Sequence, residues 1–193
     1  MQKFLTDYLK VSYIPTRFEF RGRKIVGMVK KIAFPPVLTD FNRIQQLWRE
    51  FNPKISSIPN RIQRSKWEKF GIVFYRASEN QFYYVAGVEV KNRDYILSNM
   101  ESIKIADGMF EKIIHRGPLR DLPNSYQRLE EKFAEIEQYL LTSENKSNVP
   151  SYSKNHNSHP VIILLENYSK GFHWNRSNSI ISLYIRNFSE KIG

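Results

Sequence analysis

Two amphipathic helix patterns most constrain what this chain can fold into. The first follows an N-cap signal at Thr39-Asp40 and stops at Asn52-Pro53; the second opens at Asp121-Leu-Pro123. In both, apolar residues recur every three or four positions, which is the spacing of one helical face. The apolar residues are Phe41, Ile44, Leu47, Trp48 and Phe51 in the first pattern, and Leu122, Tyr126, Leu129, Phe133, Ile136 and Leu140 in the second. The sequence predicts two helices, the second long and continuous.

Strand-like runs flank the two helix patterns in the same order. Each helix is preceded by one β-prone run and followed by two, and the loop 76–81 between two of these runs reads as a hairpin. The predicted strands are 24–34, 70–75, 82–90, 109–115, 161–168 and 179–185. The repeated order predicts an α+β fold of two pseudo-twofold βαββ halves, with antiparallel sheets, helices on their outer faces and a ligand cleft between the halves.

The domain prediction follows from length and apolar content. A chain of 193 residues, 41% of them hydrophobic, has enough apolar area for one sizeable core. We predict an N-terminal extension over residues 1–22 and one ligand-binding domain over residues 23–193. The Ser- and Asn-rich stretch 145–158 is predicted as a loop, and its place before the 161–168 strand suggests a lid over the cleft.

Charge and composition exclude several classes of site. The formal net charge is +11, which attracts nucleic acid or an anionic surface, but the basic residues are scattered in pairs, which favours a solvated surface. Without cysteine there is no disulfide or thiolate metal site. His156 and His159 lack the further ligands that zinc needs. We therefore expect no metal and no cofactor. No signal peptide or membrane-length apolar run is present, so the prediction is cytoplasmic, without membrane association.

Glu166 is the candidate functional carboxylate. It lies in the aliphatic run Val161–Tyr168, and side chains alternate along a strand, so Ile162, Leu164 and Tyr168 are expected on its face. Burying a carboxylate is costly unless a positive or hydrogen-bonding group meets it. One interpretation is a pocket carboxylate that pairs with a ligand cation. The alternative is an outward-facing glutamate on an edge strand.

Aromatic residues on the predicted core elements favour a pocket beside Glu166. In this interpretation the rings stack on a planar ligand or offer their faces to a cation. The alternative is that these rings fill an ordinary core. The residues are Trp48, Tyr75, Phe82, Tyr83, Tyr84, Tyr126, Phe133 and Tyr168.

A series of short motifs carries a family resemblance. In chain order these are Ile44–Phe51, Phe70–Tyr75, Phe82–Val90, His115–Pro118, Leu165–Tyr168 and Leu183–Ile185. Their order and spacing resemble the GyrI-like small-molecule-binding family, which includes the effector-binding domains of AraC- and MerR-type multidrug regulators and the stand-alone DNA gyrase inhibitor proteins. The resemblance covers about residues 24–185 of the chain.

The resemblance implies the same two βαββ halves and a role for named residues. Glu166 matches the glutamate of the family's Leu/Phe-Glu-x-Tyr motif and is implied to meet cationic or polar ligand groups at the cleft floor. Trp48, Tyr84 and Tyr168 are implied to line the cleft. The chain departs from the family at Phe110, where a tyrosine is frequent, and at Arg186, where a proline is frequent. The candidate ligand-binding residues are Glu166, Tyr168, Trp48, Tyr84, Tyr75 and Phe110.

Three functional hypotheses follow. The first is a stand-alone binding protein for amphipathic, planar or cationic small molecules, acting in sensing, sequestration or transcription-linked effector binding. The second is a hydrolase of reactive xenobiotics with Glu166 as general base and Tyr84 or Tyr168 as proton donor, although Phe110 departs from the family there. The third is a basic interaction protein that acts on a topoisomerase-like partner. No helix-turn-helix fits before Arg21, so no direct DNA-binding domain is expected.

Overall fold

A computed structural model describes most of the predicted elements. The described residues are 14–18, 23–34, 36–62, 69–92, 96–105, 108–127, 129–142, 160–168 and 176–186. The predicted lid, 145–158, and the two histidines within it lie outside these ranges, as does His173.

Eight strands and three α-helices make up the described part of the chain. In chain order they are β1 (Ile14–Phe18), β2 (Lys24–Ile32), α1 (Pro36–Phe51), β3 (Lys69–Arg76), β4 (Gln81–Val90), β5 (Glu101–Lys104), β6 (Gly108–Arg116), α2 (Leu122–Gln127), α3 (Glu130–Leu141), β7 (Val161–Tyr168) and β8 (Ile180–Arg186). Two 3-10 turns, Asn52–Ser57 and Leu119–Asp121, follow α1 and precede α2.

All eight strands join one antiparallel sheet in the order β1-β6-β8-β7-β3-β4-β2-β5. The order is symmetric about the β7–β3 pair: β3, β4 and β2 on one side correspond to β7, β8 and β6 on the other. Each set of three strands belongs to one strand–helix–strand–strand unit. The predicted α+β fold with two pseudo-twofold βαββ halves is therefore confirmed, and the halves meet edge to edge at β3 and β7.

The two faces of the sheet carry separate hydrophobic clusters. On one face, α1, α2 and α3 pack against the strands and form the helix-side core, which includes Leu47, Phe51, Leu122, Phe133 and Leu140. On the other face the second-face core is built from strand residues and Ile105; its members are Ile25, Phe70, Ile72, Phe74, Val85, Ile103, Ile105, Phe110, Ile162, Leu165 and Tyr184. All the helices therefore cover the same face of a single sheet.

The predicted helix boundaries were wrong in two places. Helix α1 begins at Pro36, so Thr39-Asp40 lies inside it and is not its N-cap. Proline favours the first helical position because its fixed φ suits a helix and its missing N–H has no partner to lose there.

The second predicted helix is two helices. Leu129, between α2 and α3, has φ −99° and ψ 3°, and its N–H bonds the carbonyl of Tyr126 three residues back. The apolar positions on both sides of this break are buried as predicted. Because the apolar face runs on through the break, its spacing does not reveal the interruption.

A bulge on β7 places Ile162 on the opposite face of the sheet from Glu166. Val73 on β3 pairs with Leu164, but the next residue, Phe74, pairs with Ile162, so Ile163 is the extra residue. A bulge shifts the alternation of side chains by one position. Ile162 consequently lies in the second-face core, not on the face of Glu166 as strict alternation predicted. Leu164 and Tyr168 lie in the helix-side core as expected.

Candidate functional site

Glu166 is a buried carboxylate near the junction of the two halves. Its side chain is 1% exposed, so the alternative of an outward-facing glutamate is wrong. On β7 it lies directly opposite Gly71 of β3, the strand of the other half. Within the described ranges no lysine, arginine or histidine forms an ion pair with it.

Three tyrosine hydroxyls donate hydrogen bonds to the Glu166 carboxylate. Tyr84 and Tyr168 donate to Oε2 at 2.5 and 2.6 Å. Tyr126 donates to Oε1. Hydrogen bonds to an ionised carboxylate are stronger than those between neutral groups. We call Glu166 with Tyr84, Tyr126 and Tyr168 the tyrosine cage.

The cage is assembled from three elements, and a residue of a fourth packs against it. Tyr168 stands two residues after Glu166 on β7 and so shares its face, while Tyr84 comes from β4, beyond β3. Tyr126 comes from α2, which lies above the sheet. Trp48 of α1 completes the group, because its indole Nε1–H donates to the hydroxyl oxygen of Tyr84 at 3.0 Å and its ring meets that of Tyr168 edge-on at 5.1 Å.

Burial controls the protonation of the cage. It raises the pKa of Glu166, because desolvation penalises the charged carboxylate, and the hydrogen bonds from Tyr126, Tyr168 and Tyr84 oppose that rise. The pKa of each tyrosine is raised well above its usual value, first by burial and then by the negative charge of Glu166. The phenols therefore remain neutral donors at physiological pH, and Glu166 is the titrating group of the site.

The cage is closed in this structure. Trp48, Tyr84, Tyr126 and Tyr168 are all at most 3% exposed. A ligand therefore reaches the Glu166 carboxylate only if at least one of the hydroxyls or rings above it moves.

The structure brings together four of the six predicted site residues. Glu166, Tyr84, Tyr168 and Trp48 are in direct contact as described above. Tyr75 lies in the helix-side core, but its hydroxyl donates to Asn80 at 2.6 Å and its ring packs on Phe82. It makes no hydrogen bond to Glu166.

Phe110 is on the opposite side of the sheet from the cage. It belongs to the second-face core, where the guanidinium of Arg186, its partner on β8, lies 5.8 Å from its ring centroid. Phe110 is therefore not part of the group around Glu166, and its place in a ligand site stays a prediction. The two positions at which the chain departs from the family resemblance contact each other, and neither faces Glu166.

Tyr126 was among the aromatic residues considered for a pocket, but it was not among the six candidate ligand-binding residues. It occupies an apolar position of the helix pattern. That pattern predicts that the ring is buried but gives no information about the partner of its hydroxyl. Only the packing of α2 over β7 brings it to Glu166.

Metal clusters and membrane-spanning helices were sought in the described part of the chain. It contains no group of three or more histidine, aspartate or glutamate side chains placed to hold a metal ion. None of its helices is both long enough and apolar enough to cross a membrane.

The fold and the family comparison together identify an effector-binding domain of the GyrI-like type. Residues 23–185 match the profile of the Cass2 family, described as integron-associated effector-binding protein. The chain belongs to this family. Among proteins with curated descriptions, none matches the sequence at a significant level.

Solved structures show the same fold at low sequence identity. SAV2435, solved bound to tetraphenylphosphonium, is 15% identical with a TM-score of 0.58, over 90% of this chain and 92% of that one. A protein of Staphylococcus aureus MU50 assigned to bacterial transcription regulation is 15% identical with a TM-score of 0.55, over 91% and 97%. EcmrR, solved in a complex with DNA, is 13% identical with a TM-score of 0.55; the match covers 94% of this chain and 59% of EcmrR.

Proposed function

We propose that this protein binds amphipathic organic cations, with the Glu166 carboxylate as their counter-charge. The observation that carries the proposal is a fully buried carboxylate that has three hydroxyl donors but, among the residues that the structure describes, no cationic partner. The hydrogen bonds stabilise the negative charge without neutralising it. A bound cation adds a Coulomb attraction that a site removed from water screens weakly.

The surroundings of the carboxylate favour an apolar organic cation over a small hydrated one. Trp48, Tyr84, Tyr126 and Tyr168 present aromatic surface around the acidic oxygens, and aromatic faces attract cations. A strongly hydrated ion such as Na⁺ gains little from such walls, because it loses its water shell. An organic cation with a delocalised or shielded charge loses less on desolvation and gains apolar contact.

Family membership and one structural neighbour support this ligand class. The family is one of effector-binding proteins, and the fold neighbour SAV2435 is bound to tetraphenylphosphonium, an apolar organic cation. The biological role that we propose is sensing or sequestration of such compounds, or effector binding linked to transcription.

Isothermal titration with tetraphenylphosphonium tests the proposal. We expect saturable binding by the wild type and a rise in Kd of at least about tenfold, equivalent to about 1.4 kcal/mol, in Glu166→Gln. Glutamine keeps the shape of the side chain but removes its charge. Glu79→Gln is the matched control, because it removes the same charge from an exposed turn. Equal affinity in wild type and Glu166→Gln would refute the proposal.

A further inference from the structure

Gly71 occupies a position where glycine is unfavourable. It lies inside β3 between Phe70 and Ile72, both fully buried. Glycine in a strand interior adds no packing and loses more backbone entropy on folding than other residues do. Its backbone does not require glycine, because among the described residues only Gly117 is a glycine with positive φ. A reason other than backbone conformation must exclude a side chain at position 71.

The tyrosine cage fills the space that a side chain at Gly71 would occupy. A Cβ built on Gly71 falls well within 3.0 Å of Glu166 Oε2 and of the Tyr84 hydroxyl oxygen, and 2.8 Å from Glu166 Cδ. The carboxylate and the phenol therefore meet in the space that any side chain at position 71 would occupy. Neither atom belongs to the backbone, so both must move if that space is filled.

We propose that Gly71 is a positioning residue of the ligand site, and that its missing side chain forms the recess in which Glu166 and Tyr84 meet. With this recess the carboxylate lies against β3, and the proposed ligand takes the volume between sheet and helices that the cage rings fill in this structure. A side chain at position 71 pushes the carboxylate into that volume. The size of residue 71 thereby sets how bulky a cation fits above Glu166, a step that rests on the proposed function.

A stability cycle tests the recess without any ligand. Thermal unfolding is measured for Gly71→Ala in the wild type, in Tyr84→Phe and in Glu166→Ala, where each background removes one of the two oxygens that a new Cβ would meet. We expect the loss in Tm caused by Gly71→Ala to be smaller in at least one background than in the wild type. If Gly71→Ala fails to fold alone but folds in a background, that result also supports the recess.

Gly87→Ala is the matched control for the stability cycle. A Cβ on Gly87 meets Ile25 Cγ2 at 2.5 Å and the carbonyl oxygen of Val26 at 3.1 Å, away from the cage. The loss in Tm caused by Gly87→Ala should be the same in every background. An equal loss from Gly71→Ala in all three backgrounds, or failure to fold that neither background restores, would overturn the inference.

Titration with tetraphenylphosphonium separates this inference from the proposed function. For the folded Gly71→Ala protein we expect a Kd at least tenfold higher than that of the wild type, with a smaller effect on the smaller cation tetramethylammonium. An equal rise in Kd for both cations would contradict the inference that residue 71 limits the size of the cation. If the wild type binds neither cation, the proposed function fails, and the stability cycle still decides whether Gly71 forms the recess.

Discussion

Tyr84 and Glu166 belong to different halves of the fold, and the phenol of the first donates a 2.5 Å hydrogen bond to the carboxylate of the second. Tyr84 reaches across the intervening strand β3, where Gly71 leaves room for both groups. The hydrogen bonding of the carboxylate therefore depends on the correct pairing of the two halves.

Protein stability should fall as pH rises through the titration of Glu166. Burial raises the pKa of this group in the folded protein, so the folded state binds a proton that the unfolded state releases at about pH 4.3. The stabilisation that this bound proton gives the folded state is fully present below that pH and is lost as pH rises through the raised pKa of Glu166. Urea unfolding of wild type and Glu166→Gln across this range measures it. The difference between the two proteins should change with pH; a constant difference would contradict the raised pKa.

Removing one cage hydroxyl should destabilise the protein more at high pH than at low pH. Tyr126→Phe, Tyr84→Phe and Tyr168→Phe each remove a donor to Glu166, and a hydrogen bond to a charged group contributes about 1.5–3 kcal/mol. Protonation of Glu166 weakens this contribution. The measurement is the free energy of unfolding above and below the pKa of Glu166. Tyr75→Phe is the control, because its hydroxyl meets the neutral Asn80 and its cost should not follow that titration.

Phe110→Tyr should not restore a missing site hydroxyl, although the family frequently has tyrosine there. The ring is 1% exposed and lies on the opposite side of the sheet from Glu166. Burying a hydroxyl without a partner costs about 1–3 kcal/mol. We expect lower thermal stability and an unchanged Kd for tetraphenylphosphonium. Tighter binding by this variant would show that Phe110 acts on the ligand site.

Cation binding should release a proton from Glu166 and strengthen as pH rises. Below the pKa of Glu166, a cation competes with the proton for the carboxylate, so its affinity should rise by up to about tenfold per pH unit and level off above the pKa. Isothermal titration in buffers of different ionisation enthalpy measures the released proton directly. Proton uptake on binding, or affinity independent of pH, would contradict competition at this carboxylate.

Local sequence signals were sufficient for the six strands and two helical regions of the βαββ halves, but not for β1, β5 or the details of the helices. Alternating and helical spacing predicted these six strands and the two helical regions, because these periods follow from backbone geometry. The start of α1 at Pro36 was missed because the stronger N-cap signal came later. The break at Leu129 and the bulge at Ile163 were missed because the apolar residues around each still fit the pattern of a continuous helix or strand.

The sequence by itself determined the two βαββ units, the buried run around Glu166 and the aromatic residues around it, since these follow from periodicity and composition along the chain. Only the tertiary structure decided that Tyr126 binds Glu166, that Phe110 faces away, and that Gly71 leaves the necessary space. These relations join residues far apart in the chain. They depend on strand register and helix packing, which no local pattern specifies.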